Sequence, residues 1–251
     1  MLNFLLLLCV LIVPQEPTVA QDLPAEIAKW ESAIAQLELR DQAEGKIEDG
    51  ILFYGSSSIR RWKTMATDMA PWATIQRGYG GAKLPDIIHY APRVIGPRLG
   101  ESNPQRCKAL VLFVGNDIAG KPTDASPVQV GERFSQLHRW IRQKDPTVPV
   151  FWIEVTPTNS RWEQWAKVEQ ATKCIDKIIN NDGNSFLIST AGAFLASDGR
   201  PRSDLFVKDQ LHLNQAGYQQ WAAIIKSQLY KRLVPLKPLT PTVNHAEKPV
   251  K

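Results

Sequence analysis

Three residue types able to carry out acyl transfer lie in two segments far apart in this 251-residue chain. Ser56, Ser57 and Ser58 follow the apolar run ILFYG at 51–55 and precede the basic segment IRRW. A serine placed where a strand hands over to a helix can attack a carbonyl. Its own N–H, at the positive end of the helix, can help to hold the oxyanion that forms. The same serines can instead cap the helix, and the spacing is not the G-x-S-x-G elbow. The residues alone do not choose among the three. The second element is 204-DLFVKDQLHLNQAGY-218. Asp209, three residues before His212, can accept the imidazole Nδ1–H and leave Nε2 as a base. The alternative there is a helix entry capped by Asp209 or Asn214.

Two further segments suit an oxyanion hole. Gly80-Gly81, in 76-QRGYGGAK-83, allow a backbone N–H to approach a ligand closely, or make a tight turn. They do not fit the G-x-G-x-x-G dinucleotide pattern. Asn116, in 113-FVGNDIAG-120, can donate its side-chain amide to an oxyanion, or pair with local backbone in a turn with Asp117. Arg161 and Trp162 are candidate substrate contacts: the arginine for an anionic group, or merely capping charge, and Trp162, with Trp165, for stacking on a sugar, or as core. His89 and His138 fall on expected helices and read as packing or solvent-facing residues.

These residues need a frame. Apolar runs at 51–54, 73–76, 109–115, 148–155 and 185–189 read as five buried strands. Helical patterns at 24–44, 127–144, 161–181 and 214–231 surround or separate them, with Ile27, Trp30, Ile34 and Leu37 marking the first. Alternation of near-continuous apolar strands with helices predicts an α/β domain with a parallel sheet covered on both faces. Such sheets bind ligands at the carboxyl ends of their strands. The polar segments GSSS, RGYGGAK, GNDIAG and TPTNSRW each follow a strand there.

Composition is that of a globular protein, 43% hydrophobic and 22% charged. Residues 2–13 form an apolar run that is short for a membrane span. Pro14 and a small-residue exit, Thr18-Val19-Ala20, follow it. This reads as a secretory leader cleaved after Ala20, with an uncleaved N-terminal membrane anchor as the alternative. Cys9 belongs to the apolar run. The leader contains one acid, Glu16, and no Lys or Arg, so its loss moves the net charge from +5 to +6. No basic cluster or motif points to nucleic acid. Cys107 and Cys174 can pair after export or remain as two thiols, and no Cys/His spacing suggests a metal site. The expected organisation is a leader or anchor at 1–20, an N-terminal helix at 21–49 packed on the domain, the domain at 50–234, and a disordered Pro-rich tail at 235–251 that includes His245.

Taken together, Ser after the first strand, Gly after the second, Asn after the third and Asp-x-x-His near the end resemble the SGNH (GDSL-like) hydrolases. The likeness spans roughly residues 50–232. It rests on 52-LFYGSSSIRRW-62, 77-RGYGGAK-83, 116-NDIAGK-121 and 205-LFVKDQLHLNQAGY-218, and points to the subgroup with GSSS in the nucleophile block, which includes platelet-activating-factor-acetylhydrolase-like esterases. The resemblance implies a three-layer α/β/α flavodoxin-like sandwich with a five-stranded parallel sheet. It implies Ser57 as nucleophile, His212 as base and Asp209 as its orienting acid. The implied oxyanion hole falls on the N–H groups of Ser57 and Gly81, with Gly80 as the near alternative to Gly81, and on the Asn116 amide. Ser56 stands where the family's usual Asp lies. The third block departs from Gly-x-Asn-Asp, with Val114 or Gly115 in the glycine's place. The implied protein is a secreted serine esterase acting on short acyl esters, acetyl above all, of a small molecule or glycan, with no cofactor or metal. Lysophospholipase-like activity, acyl transfer, or glycan binding without catalysis are the alternatives. The oligomeric state is not legible.

Overall fold

The computed structural model describes residues 25–233; the expected leader or anchor with Cys9, and the tail with His245, lie outside the described residues. Five strands form one parallel sheet: β1 (Ile51–Gly55), β2 (Thr74–Gly78), β3 (Ala109–Phe113), β4 (Val150–Ile153) and β5 (Ser185–Ile188). Their spatial order is β2-β1-β3-β4-β5. Each strand lies within or beside its expected apolar run. The fourth is shorter than 148–155 at its start because Pro149 has no N–H for the ladder. Its carbonyl still accepts from the Leu110 N–H at 2.9 Å.

Alternation along the strands divides the core in two. Leu52, Tyr54, Leu110, Leu112, Val150 and Trp152 face one side. There they meet α2 (Glu31–Glu44), α5 (Leu84–Val94), α6 (Pro127–Lys144) and α7 (Trp165–Asn180), with the single turn α1 (Ala25–Ala28) just before α2. Ile51, Phe53, Val111, Phe113, Phe151 and Ile153 face the other. Against them lie α3 (Ser57–Arg61), α4 (Met65–Asp68), α8 (Ala191–Phe194) and α9 (Gln215–Leu233). The result is the three-layer α/β/α arrangement, and every strand of β1 and β3 is buried on both faces.

Two helices differ from expectation. The pattern at 24–44 gives two helices, separated at Lys29-Trp30, where the Trp30 ring packs edge-on against Tyr79 at 5.6 Å. Only Ile34 of α2 is fully buried. Ions hold the rest: the buried guanidinium of Arg77 on β2 meets Glu44 at 2.7 Å and also Asp41, and buried Arg98 meets Asp41 at 2.9 Å. Hydrophobic spacing carries no trace of such pairs. The helix expected at 161–181 begins at Trp165, preceded by a 3₁₀ turn over Asn159–Gln164 that leaves helical conformation at Arg161. No helix among the described residues is long and apolar enough to cross a membrane.

Candidate active site

The carboxyl ends of the strands converge on one rim, and β1 delivers the three serines to it. Gly55 closes β1 against β3 so tightly that any Cβ there would collide with the Phe113 carbonyl. Ser56 N–H donates to that carbonyl at 3.1 Å, and the Gly55 carbonyl accepts from Tyr79 N–H at 3.1 Å. The chain then turns directly into α3. Ser56 occupies the cap position, is buried, and makes no side-chain capping bond. Ser58 is held through its carbonyl, which accepts from the Tyr218 hydroxyl at 2.9 Å. Of the three hydroxyls, that of Ser57 meets a histidine.

His212 Nε2 lies 3.1 Å from Ser57 Oγ, and its Nδ1 lies 2.7 Å from Asp209 Oδ2. The loop before α9 sets this up. Asp209 Oδ1 accepts the N–H groups of Leu211 and His212, both at 2.9 Å, so the carboxylate is clamped on its own turn. Val207 N–H donates to the His212 carbonyl at 2.8 Å, closing the loop. Capping of α9 falls to Asn214, whose Oδ1 accepts from Gly217 N–H at 3.0 Å. The carboxylate–imidazole contact and the helix cap thus fall on different residues of this segment. Burial raises the Asp209 pKa, but the backbone and imidazole donors of His212 and the N–H of Leu211 outweigh it and bring it down to about 2. It is ionised at any pH where the imidazole titrates, which favours the tautomer with a proton on Nδ1.

Asn116 lines the pocket, and Gly81 lies beside it without itself being in the wall. The Asn116 Nδ2 is 4.0 Å from where a Gly81 Cβ would sit, and nothing else lies within that distance. The same nitrogen donates to the Ala82 carbonyl at 3.0 Å. Gly80 has a different reason to be glycine: its φ is +34°, and a Cβ would run into the Trp30 ring. Asp117 is buried, accepting Leu84 N–H at 2.9 Å and Arg133 at 2.9 Å, so it ties this loop to α5 and α6. Desolvation raises its pKa against these donors.

The pocket holds about 590 Å³, counting its open mouth. Ser57 and His212 line it together with Asn116, Arg161, Thr156 and Trp165. Arg161 does not stand open for an anion as expected. Its Nη1 donates to the Gly115 carbonyl at 2.6 Å and its Nη2 to Asn116 Oδ1 at 2.9 Å. Trp162 is not in the wall; it stacks parallel on Trp165 at 6.2 Å, which is, and carries Arg200 over its ring at 5.6 Å. A second, apolar cavity of about 330 Å³ with its mouth adjoins the first and shares Gly115, Ile118, Val155 and Val168 with it. Thr156 in the wall agrees with the placement of TPTNSRW at the rim, whereas the sequence carries no signal for that cavity or for the Arg161–Asn116 contact, since each depends on which loops meet. Cys107 and Cys174 are both free thiols; burial pushes Cys107 up to about 12.

Comparison with known proteins adds the family. The sequence pattern of the GDSL-like Lipase/Acylhydrolase family matches residues 42–220. A search of curated proteins found no match. Among solved structures, a Streptococcus pneumonia protein whose name refers to platelet activating factor aligns at a TM-score of 0.65 and 18% identity, over 82% of this chain and 95% of its own. A GDSL-like lipase from Bacteroides thetaiotaomicron VPI-5482 aligns at 0.63 and 15% identity, over 79% and 97%. A member of the lipolytic protein G-D-S-L family from Veillonella parvula DSM 2008 aligns at 0.58 and 16% identity, over 73% and 98%. At these identities the structures speak for the fold.

Proposed function

The chain belongs to the GDSL-like lipase/acylhydrolase family, ester-hydrolysing enzymes, and we propose that it is an exported serine esterase with Ser57 as nucleophile, acting on short acyl esters, acetyl esters of carbohydrates foremost. The observation that carries this reading is the continuous line Ser57 Oγ–His212 Nε2 (3.1 Å) and His212 Nδ1–Asp209 (2.7 Å) on the wall of an open pocket. Both contacts are hydrogen-bond distances, the first short enough for proton transfer.

In the proposed reaction His212 Nε2 takes the Ser57 proton as Oγ bonds to the ester carbonyl carbon. The carbonyl electrons move to oxygen, which the N–H groups of Ser57 and Gly81 and the Asn116 amide hold. The C–O bond to the alcohol breaks and the imidazolium returns its proton to the leaving alkoxide. Water then repeats the sequence on the acyl-Ser57, releasing the acid and free enzyme. Asp209 keeps the imidazole oriented and stabilises its cationic form. A sugar hydroxyl entering in place of water would turn hydrolysis into transfer. The leader-like residues 1–20 support export.

A second reading has its own observation. The apolar side chains of Ile118, Val155 and Val168, shared by the pocket and the recess beside it, give a longer acyl chain an apolar surface to lie on, which favours a lysophospholipase-like activity. Turnover of p-nitrophenyl esters from acetate to octanoate tests both: a rate highest on acetate supports the first, a rate rising towards octanoate the second. No turnover above the imidazole background would leave a glycan-binding protein on the same scaffold.

A further inference from the structure

We propose that Arg161 is a positioning residue that fixes the orientation of the Asn116 amide, so that an N–H and not a carbonyl oxygen faces the reacting ester. This rests on the esterase reading above and deepens it.

The argument begins with what each group can and cannot do. A guanidinium only donates hydrogen bonds, and a backbone carbonyl only accepts them. Arg161 Nη2 sits 2.9 Å from one end of the Asn116 amide, and the Ala82 carbonyl sits 3.0 Å from the other. With Oδ1 towards Arg161 and Nδ2 towards Ala82, both contacts are hydrogen bonds. Rotated by half a turn, the amide would place N–H against N–H and oxygen against oxygen. Both partners therefore select one orientation. In that orientation one Nδ2 hydrogen is used on Ala82, and the other remains beside Gly81. A rotated amide would present a lone pair to a developing negative charge and work against the reaction.

Arg161 is suited to this. Its Nη1 is anchored on the Gly115 carbonyl at 2.6 Å, so the planar fork grips two successive residues of the loop after β3. It reaches them from the turn after β4, at the place where that turn leaves helical conformation. Among the described residues it makes no ion pair with a carboxylate, and its charge stays on the pocket wall. Burial pulls its pKa down, with the Asp124 carboxylate opposing; a guanidinium remains charged regardless.

The test uses the purified full chain and p-nitrophenyl acetate, a neutral substrate. Arg161→Ala is expected to lower kcat by roughly 10–100-fold, below the full effect of losing an oxyanion donor, with KM within about twofold. Methylguanidinium should restore part of that loss in Arg161→Ala and none in Asn116→Ala. In an Asn116→Ala background, adding Arg161→Ala should cost less than about threefold, because residues acting as one unit are not additive. Arg161→Lys keeps the charge but cannot span both oxygens, and should recover less than half of the lost kcat. If Arg161→Ala does not fold, the Lys variant alone carries the comparison with Asn116→Ala. Full additivity, complete recovery by Lys, a change confined to KM, or unchanged kcat would each overturn the proposal. An inactive wild-type chain that takes no label at Ser57 would instead bring down the esterase reading, and this proposal with it.

Discussion

Two Ser–His–Asp groups sit at opposite rims of the sheet, and their chemistry differs although their residue types do not. At the carboxyl rim, His212 stands between its partners, with Ser57 on Nε2 and Asp209 on Nδ1. At the amino rim, Ser185 begins β5, His138 comes from α6 and Asp182 from the loop before β5. There one nitrogen, His138 Nε2, meets both Asp182 at 2.7 Å and Ser185 at 2.9 Å. Ser185 Oγ also donates to Asp182 at 3.1 Å and accepts from Arg142 at 2.9 Å. Arg142 further binds Asp182 at 2.5 Å and the carbonyls of Val148 and Asn184. The ring's hydrogen bond is to Ser185, and Asp182 lies beside that same nitrogen; among the described residues no carboxylate stands on Nδ1 to orient the imidazole as a base. Buried Ser185 and His138 have no place among the pocket-lining residues of the carboxyl rim. A relay needs a histidine between its partners and an opening for substrate; the second group is a closed knot that fastens α6 to β5.

The largest expected contrast is in activity. Ser57→Ala or His212→Ala should lower kcat by about 10⁴-fold or more, whereas Ser185→Ala should leave kcat within about twofold. Steady-state kinetics on one short ester measures both.

Asp209→Asn comes next, at roughly 10³–10⁴-fold in kcat, since the wrong tautomer is then favoured. A carboxyl held at about 2 is charged across the working range. Its depressed pKa gives a stabilising contribution present above its unfolded value, roughly 4, and lost as pH falls through about 2. Between pH 8 and 5 Asp209 keeps its charge, so a change in wild-type kcat/KM over that range does not come from this carboxylate. A flat profile over that range would contradict a rate-limiting histidine base. Asn116→Ala should cost about 10²–10³-fold in kcat, with stability little changed.

The knot should answer to stability instead. Asp182→Ala leaves Arg142 and His138 without their shared acceptor and should destabilise by about 2–4 kcal/mol, measured by urea unfolding, with kcat unchanged. The smallest effect concerns pH. Burial lowers the pKa of His138, against the pull of Asp182. A base with a depressed folded pKa contributes stability that is present above its unfolded value, roughly 6.5, and lost as pH falls below it. His138→Gln should flatten the fall in Tm between pH 7 and 5, while His138→Ala should also cost packing against Phe134, whose ring lies 5.7 Å away.

Much of this was legible in the sequence because it is local or periodic. The five strands show as apolar runs, and the carboxyl-rim rule gathers GSSS, RGYGGAK, GNDIAG and TPTNSRW from the sequence. Asp209 and His212 are three residues apart, so their contact is nearly a sequence property. What spacing does not carry is the meeting of distant polar groups. The Arg77–Asp41–Glu44 cluster that docks α2, the Arg161 fork on Gly115 and Asn116, and the Ser185–His138–Asp182 knot all join segments about 30 or more residues apart. Gly80 shows the same limit: its neighbour Gly81 faces Asn116, but Gly80 itself answers to Trp30, about fifty residues earlier. His138 read as an ordinary packing residue, which describes its burial but not the knot it anchors.

The most direct test of the central claim is fluorophosphonate labelling of the purified chain, with the modified peptide mapped by mass spectrometry. The account predicts a single phosphonylated serine, Ser57, with labelling abolished in His212→Ala and retained in His138→Gln. A label on Ser56, Ser58 or Ser185, or no label on a folded chain, would contradict it.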